Sequence, residues 1–149
     1  VLTNSPTHNH RPIDANRRRI VELIDAWNAH DPARVAACYA ADYVGEDVGA
    51  PGVQRGPEEI RKITQVYLRA FPDLRVDLDD LIMDGDKAVI VWTWRGTQRG
   101  TFMRIPPTHL PVAVRGTTIV EMKAGLIARA TRIWDVAGLL RAIGLLPEL

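Results

Sequence analysis

Between Trp92 and Gly144 the chain carries W-T-W-R-G-T-Q, an I-P-P-T loop at 105–108 and R-I-W-D-V-A-G-L-L-R-A-I-G. Trp92, Trp94, Gly96 and Gln98 fall at every second position, which on a strand is one face of a sheet. Arg132 and Trp134 share a face in the same way. Charged or polar groups set among large aromatics on an inward sheet face are how a small-molecule pocket is built. Within such a pocket Arg132 cannot act as a base near neutral pH, because a guanidinium stays charged. It can anchor an enolate, phenolate or hydroperoxide oxygen, or serve as a structural arginine paired with an acid. A buried cation needs a partner in either case, and Asp47 is the expected one. Asp47 and Glu46 lie in G-E-D-V-G-A-P-G. Asp47 is a candidate acid/base group whose pKa burial and Arg132 would set; a solvated loop acid is the alternative for both carboxylates.

Trp92, Trp94 and Trp134, with Tyr43 nearby, could stack a flat ligand. Plain core is the competing reading and is preferred for Trp92. Gln98 and Thr118 could each hydrogen-bond a ligand carbonyl, or be satisfied polar groups on the sheet. Asp135 is read as the N-cap of a terminal helix. His30, at a helix end where a cation is favoured, and His109 are expected at the surface. His8 and His10 form an H-x-H pair that could bind metal, but they fall in a stretch without periodicity and are read as solvated.

The elements that must position these residues follow from the hydrophobic period. Residues 1–13 contain two prolines and no period, and are expected to be a flexible tail. Asp14 can cap a helix from 15 to 29, with Ile20, Leu23, Ile24 and Trp27 on one face and the Arg17–Arg19 run solvated. Asp31-Pro32 opens a short second helix carrying Val35, Cys38 and Tyr39. Asp42-Tyr43-Val44 reads as a brief strand before the glycine-rich loop. Gly56-Pro57-Glu58-Glu59 opens a third helix with Ile60, Ile63, Val66, Tyr67 and Ala70 inward. From Leu74 the period becomes two. Strands are expected around 74–79, over 87–98, 112–122 and 126–134, with turns at 84–87 and 123–125 and a two-proline excursion at 101–111. Leu139, Leu140 and Ile143 give the terminal helix its apolar face, and Gly144 stops it. Helices followed by a meander predict an α+β domain, over 14–149, with the helices on one face of an antiparallel sheet.

At 149 residues the chain suits one domain with a single core. A net charge of +1 favours neither nucleic acid nor an anionic membrane. The single cysteine, Cys38, excludes an internal disulfide and a cysteine-based metal cluster. With no apolar leader and no membrane-length window, a cytoplasmic location is the expectation.

Three features together resemble the SnoaL-like polyketide cyclases, which share a cone-shaped α+β fold with nuclear transport factor two. They are Trp27-Asn28-Ala29-His30-Asp31 followed by A-x-x-Y-A-x-D-Y, then G-T-Q-R-G-T-F-M-R-I-P-P-T, then W-D-V-A-G-L-L-R-A-I-G-L-L. The resemblance covers roughly residues 17–146 and implies a curved antiparallel sheet wrapped into a cone under N-terminal helices. It also implies a homodimer paired through the open sheet face, an aromatic polyketide substrate and no metal or cofactor. Cyclases of that family use an aspartate acid/base and a helping histidine. A gapless alignment from the terminal helix puts Arg132 at the aspartate position and Thr118 at the histidine position, with a third polar position near Gly45. The scaffold is kept and the acid/base pair is not. The inner positions Trp92, Trp94 and Arg132 likewise do not match the Asp-Arg-Asp set of limonene epoxide hydrolase. The pattern is most similar to the cofactor-free anthracycline hydroxylase branch that includes AclR, in which a reduced quinone reacts with oxygen and a separate reductase is a partner. A cyclase or isomerase that has moved its acid to Asp47, and a non-catalytic binder of a hydrophobic small molecule, are the alternatives.

Overall fold

The computed structural model describes residues 11–149, so His8 and His10 lie outside the described residues. Helix α1 runs Arg11–Asn28 and α2 Pro32–Ala36; strand β1 is Tyr39–Asp47 and β2 Val53–Arg55. Helix α3 spans Gly56–Ala70, followed by β3 Arg75–Asp84, β4 Lys87–Thr97, β5 Pro111–Lys123, β6 Leu126–Trp134 and α4 Val136–Ala142. The layout is α+β, as the pattern implies, with one six-stranded sheet in the order β2-β1-β6-β5-β4-β3. Among the described residues no helix is long and apolar enough to cross a membrane.

Several expectations need correcting. The first helix begins at Arg11, inside the stretch expected to be tail, and Asp14 lies in its first turn rather than at its cap. The first-turn N–H groups have no intrahelical partner to lose, so an X-Pro step at the helix start does not stop it. Tyr39 belongs to β1, not to the second helix. The strand then continues through Gly45, Glu46 and Asp47, which the glycine-rich composition assigns to a loop. The sheet is not wholly antiparallel either. Strand β1 lies parallel to β6, with Asp47 opposite Arg132, while the other pairings are antiparallel. A parallel neighbour needs a long crossover, and the whole stretch from α3 to β5 supplies it.

Curvature comes from irregularities in the ladders. The register shifts between Leu78 and Asp80 on β3, between Glu121 and Met122 on β5, and between Tyr39 and Val44 on β1. An extra residue in one strand bends it and raises its twist, so three such points wrap the sheet around its apolar face. The face is filled by Ile90, Trp92, Trp94, Val114, Val120 and Ile127, all under 9% exposed. Helix α1 closes it with Ile20 and Ala26, each fully buried, and α3 with Ile60 and Ala70. The predicted caps are in place: Asp31 accepts from the Arg34 N–H at 3.1 Å and Asp135 from the Gly138 N–H at 2.8 Å.

Gly116 on β5 faces Trp92 across the β4 ladder and Trp134 across the β6 ladder. A side chain there would start 2.7 Å from Trp92 Cζ2 and 2.8 Å from the Ile133 carbonyl oxygen. The missing Cβ is what lets the indole of Trp92 lie flat across β5. Gly116→Ala is therefore expected to destabilise the fold by roughly 1–3 kcal/mol through overpacking. Urea unfolding would show a lower midpoint at unchanged slope; an unchanged midpoint would mean the indole moves without cost.

Candidate active site

The ladders place four side chains in one row across the sheet. Ile90 pairs with Thr118, Thr118 with Arg132, and Arg132 with Asp47. The row lies on the concave face, so Thr118 and Arg132 project into the interior that α1 and α3 cover. A cavity of about 70 Å³ remains there. Its walls are apolar or aromatic, from Leu23, Trp27, Trp92 and Trp94 to Val120, and its polar groups come from Thr118, Arg132, Tyr39 and Tyr67. Ile24, Trp27 and Val76 line it while only half-buried, which sets the mouth between α1 and β3.

Arg132 has only 17% of its side chain exposed, and Asp47 only 6%. Their closest contact, Arg132 Nη1 to Asp47 Oδ2, is 3.5 Å. That is long beside the ~2.8 Å of a strong charge-assisted bond. The other carboxylate oxygen is fully used: Oδ1 accepts from Trp134 Nε1 at 2.7 Å and from the Gly49 N–H at 2.8 Å. Asp47 is thus fixed by the turn after β1 and by the last residue of β6, and it faces Arg132 from beside the cavity rather than lining it. The expected pairing of the two is present; the expected position in an entry loop is not.

Tyr39, Tyr43 and Tyr67 gather round the guanidinium. Burial holds all three phenols above their ordinary pKa, with Arg132 opposing the shift; Tyr67 is pushed up to about 12. Arg132 feels the reverse. Burial works against its charge, but Tyr67, Tyr39, Asp47 and Tyr43 outweigh that and hold its pKa above the usual value. Near neutral pH the phenols are uncharged donors, and Asp47 is the carboxylate that faces the guanidinium. Tyr67 is held edge-on to Trp27 at 5.9 Å and to Trp94 at 5.8 Å. Thr118 Oγ1 accepts from Trp92 Nε1 at 2.8 Å, which fixes that indole as a wall.

Of the residues singled out from the sequence, Arg132, Thr118, Trp92 and Trp94 come together at the cavity. Trp92, for which plain core was preferred, is both core and wall. Three others stand elsewhere. Gln98 is fully buried, but its amide donates to the Ile105 and Pro106 carbonyls, both at 3.1 Å, and its carbonyl accepts from Thr108 Oγ1 at 2.6 Å. It clamps the two-proline loop and has nothing left for a ligand, because β4 ends one residue before it. Trp134 does not line the cavity and holds Asp47 instead. Tyr43 packs edge-on against Tyr39 at 4.7 Å, and its phenol occupies the space a side chain at Gly45 would need. Glu46 is exposed, as are His30 and His109, although His30 Nε2 lies 2.6 Å from the Leu74 carbonyl oxygen.

Tyr39, Tyr67 and Trp27 were not singled out for the site. A tyrosine on an otherwise aliphatic helix stripe is the one signal that could have raised Tyr67, since its hydroxyl must meet something polar. Tyr39 was hidden by its assignment to a helix.

Comparison with known proteins agrees with this fold. The model of the SnoaL-like polyketide cyclases matches residues 18–143. No curated protein sequence is matched. Among solved structures, TsrD from Streptomyces laurentii is 30% identical, with 89% of this chain and 97% of that one covered at a TM-score of 0.80. IdmH from Streptomyces antibioticus, provisionally a polyketide cyclase, is 26% identical over 87% and 98% of the two chains at a TM-score of 0.76. AclR from Streptomyces galilaeus, provisionally a hydroxylase, shares the fold at 21% identity, 91% and 89% coverage and a TM-score of 0.80.

The buried phenols make stability depend on alkaline pH. A phenol whose folded pKa lies above its unfolded value of about 10 holds its proton more tightly when folded. Its contribution is fully present below about pH 10 and is lost as pH rises toward 12. Urea stability should therefore be flat with respect to these groups up to about pH 10 and fall by a few kcal/mol above it. Tyr67→Phe should flatten part of that fall; an identical slope in the variant would show that Tyr67 ionises freely.

Proposed function

Since the chain belongs to the SnoaL-like polyketide cyclase family, we propose that it is a tailoring enzyme of aromatic polyketide biosynthesis that hydroxylates a reduced, anthracycline-type polycyclic quinone without a cofactor of its own. The observation carrying this reading is the character of the cavity. A guanidinium faces it, while the carboxylate behind that guanidinium is engaged by Trp134 and Gly49 and does not line it. Such a site stabilises a negative oxygen and offers no side chain from its lining as a general base.

In this reading the ring bearing an ionised hydroquinone oxygen enters past Ile24, Trp27 and Val76. Its oxygen docks on Arg132, and Trp92 and Trp94 limit its plane. The electron-rich ring carbon takes up dioxygen, and the same cation steadies the resulting hydroperoxide. One oxygen atom stays on the ring and the other leaves as water. The reduced ring ends as a hydroxyquinone, so the electrons come from the substrate, and a separate reductase is the partner that supplies it reduced. The neutral phenols of Tyr39 and Tyr67 are the proton donors nearest the charge.

A second reading is supported by the likeness to IdmH and by the burial of Asp47 beside Arg132. It is a cyclase in which Asp47 handles the proton once Trp134 turns aside. Incubation of a reduced anthraquinone under labelled dioxygen separates the two. Oxygen insertion predicts label in the product above a no-protein control, with the rate lowered on the order of 100-fold or more in Arg132→Ala. A ring-closed product of unchanged mass would replace hydroxylation with cyclisation, and full turnover by Arg132→Ala would end the anchoring role.

The working unit in this proposal is a homodimer joined through the outer face of β4, β5 and β6. Ile119 and Ile133, on neighbouring strands of that face, are 44% and 45% exposed. Sedimentation should give twice the chain mass, and Ile119→Lys should halve it; a wild-type monomer at micromolar concentration would remove this part.

A further inference from the structure

We infer that the cavity is a receptor for a planar, delocalised anion carried by two oxygens of a flat ring system, either a carboxylate or its vinylogous equivalent, a hydroxyquinone anion. The inference rests on the same cavity being the reaction site, and it names the chemistry by which a ligand is held there.

The argument is a count of donors against acceptors at the polar end. Arg132 presents a fork of N–H groups and no acceptor. Its contact to Asp47 uses one nitrogen at 3.5 Å, and the Tyr39 phenol lines the cavity with it. That phenol keeps its proton, because burial raises its pKa. Thr118 Oγ1 accepts from Trp92 Nε1 at 2.8 Å, so its own proton is free to be donated. Tyr67 keeps its proton because burial holds its pKa high. The polar lining therefore offers donors on every side. The carboxylate that could answer them, Asp47, is already held by Trp134 and Gly49.

A guanidinium matches two coplanar oxygens better than one, because its parallel N–H bonds then both form. The walls fix the rest of the ligand. At about 70 Å³ the cavity takes only the oxygen-bearing edge. The ring behind it must lie between the half-buried Trp27 and Val76 at the mouth. A flat, uncharged ring body with its anionic edge inward meets both demands. The product of the proposed hydroxylation, a hydroxyquinone that ionises near neutral pH, is such a molecule.

The test compares matched ligands by calorimetry and by quenching of tryptophan fluorescence. One pair is 2-naphthoate against its methyl ester; the other is 2-hydroxy-1,4-naphthoquinone, ionised at neutral pH, against 1,4-naphthoquinone. Each anion should bind the wild-type chain at least about tenfold more tightly than its neutral partner, a single bidentate charge contact being sufficient for that. Whichever anion binds more tightly identifies the source of the oxygen pair. In Arg132→Gln the preference should vanish while the neutral ligands bind as before, and Arg132→Lys should keep only part of it. Thr118→Val, which leaves the charge in place, serves if Arg132→Gln does not fold and should weaken the anions alone. Equal binding of charged and neutral partners, a preference that survives Arg132→Gln, a preference left undiminished by Thr118→Val, or no binding of either anion at millimolar concentration would overturn the inference. None of these readouts needs turnover. An absence of labelled product with anion binding intact would therefore count against hydroxylation and leave the receptor standing.

Discussion

A guanidinium held inside an apolar cone has to be compensated, and much of the architecture follows from how this is done. Removing one member of a buried ion pair costs about 3–5 kcal/mol, because the other is left unpaired. The partner of Arg132 must therefore be held firmly. It is supplied by the end of β1, and that is possible because β1 docks parallel to β6 with Asp47 opposite Arg132. The turn at 48–52 then gives Asp47 the Gly49 N–H, and β6 returns Trp134 to the same oxygen. Strand pairing, turn and aromatic side chain all serve one carboxylate.

That arrangement bears on chemistry as much as on stability. One oxygen of Asp47 accepts two neutral N–H bonds, the other faces the cation, and the carboxylate does not line the cavity. The cationic partner keeps its donors turned inward. In the proposed hydroxylation this pair of positions serves charge stabilisation rather than proton abstraction, on a scaffold shared with a cyclase family.

The strands from β4 onward could be read directly, because their alternation of large apolar and polar residues has only one register that buries Trp92 and Trp94. The caps at Asp31 and Asp135 were equally plain. The Arg132–Asp47 pair could be anticipated from the cost of a lone buried charge. What could not be read was long-range. Nothing local says that β1 runs parallel to β6, and without that pairing Gly45–Asp47 has the composition of a loop. Tyr39 and Tyr67 were missed because an apolar stripe does not reveal which of its members turns a hydroxyl toward a distant arginine. Gln98 was misplaced for a related reason: strand alternation predicts its side, but β4 ends at Thr97 and the chain turns away.

Gln98 also illustrates how a segment without regular structure can belong to the interior. A primary amide has the same donor and acceptor as a peptide group, and here it stands in for a missing neighbouring strand. It receives Thr108 and serves the carbonyls of Ile105 and Pro106. Met103, Arg104 and His109 hold left-handed backbone angles in the same excursion, a conformation that non-glycine residues keep only when their surroundings impose it. The loop is thus tied to the core by this side chain in addition to the backbone bonds of Gln98 with Leu110 and His109. The inner side of its shape depends on one amide, and relatives that alter this residue would be free to carry a differently shaped rim on an unchanged cone.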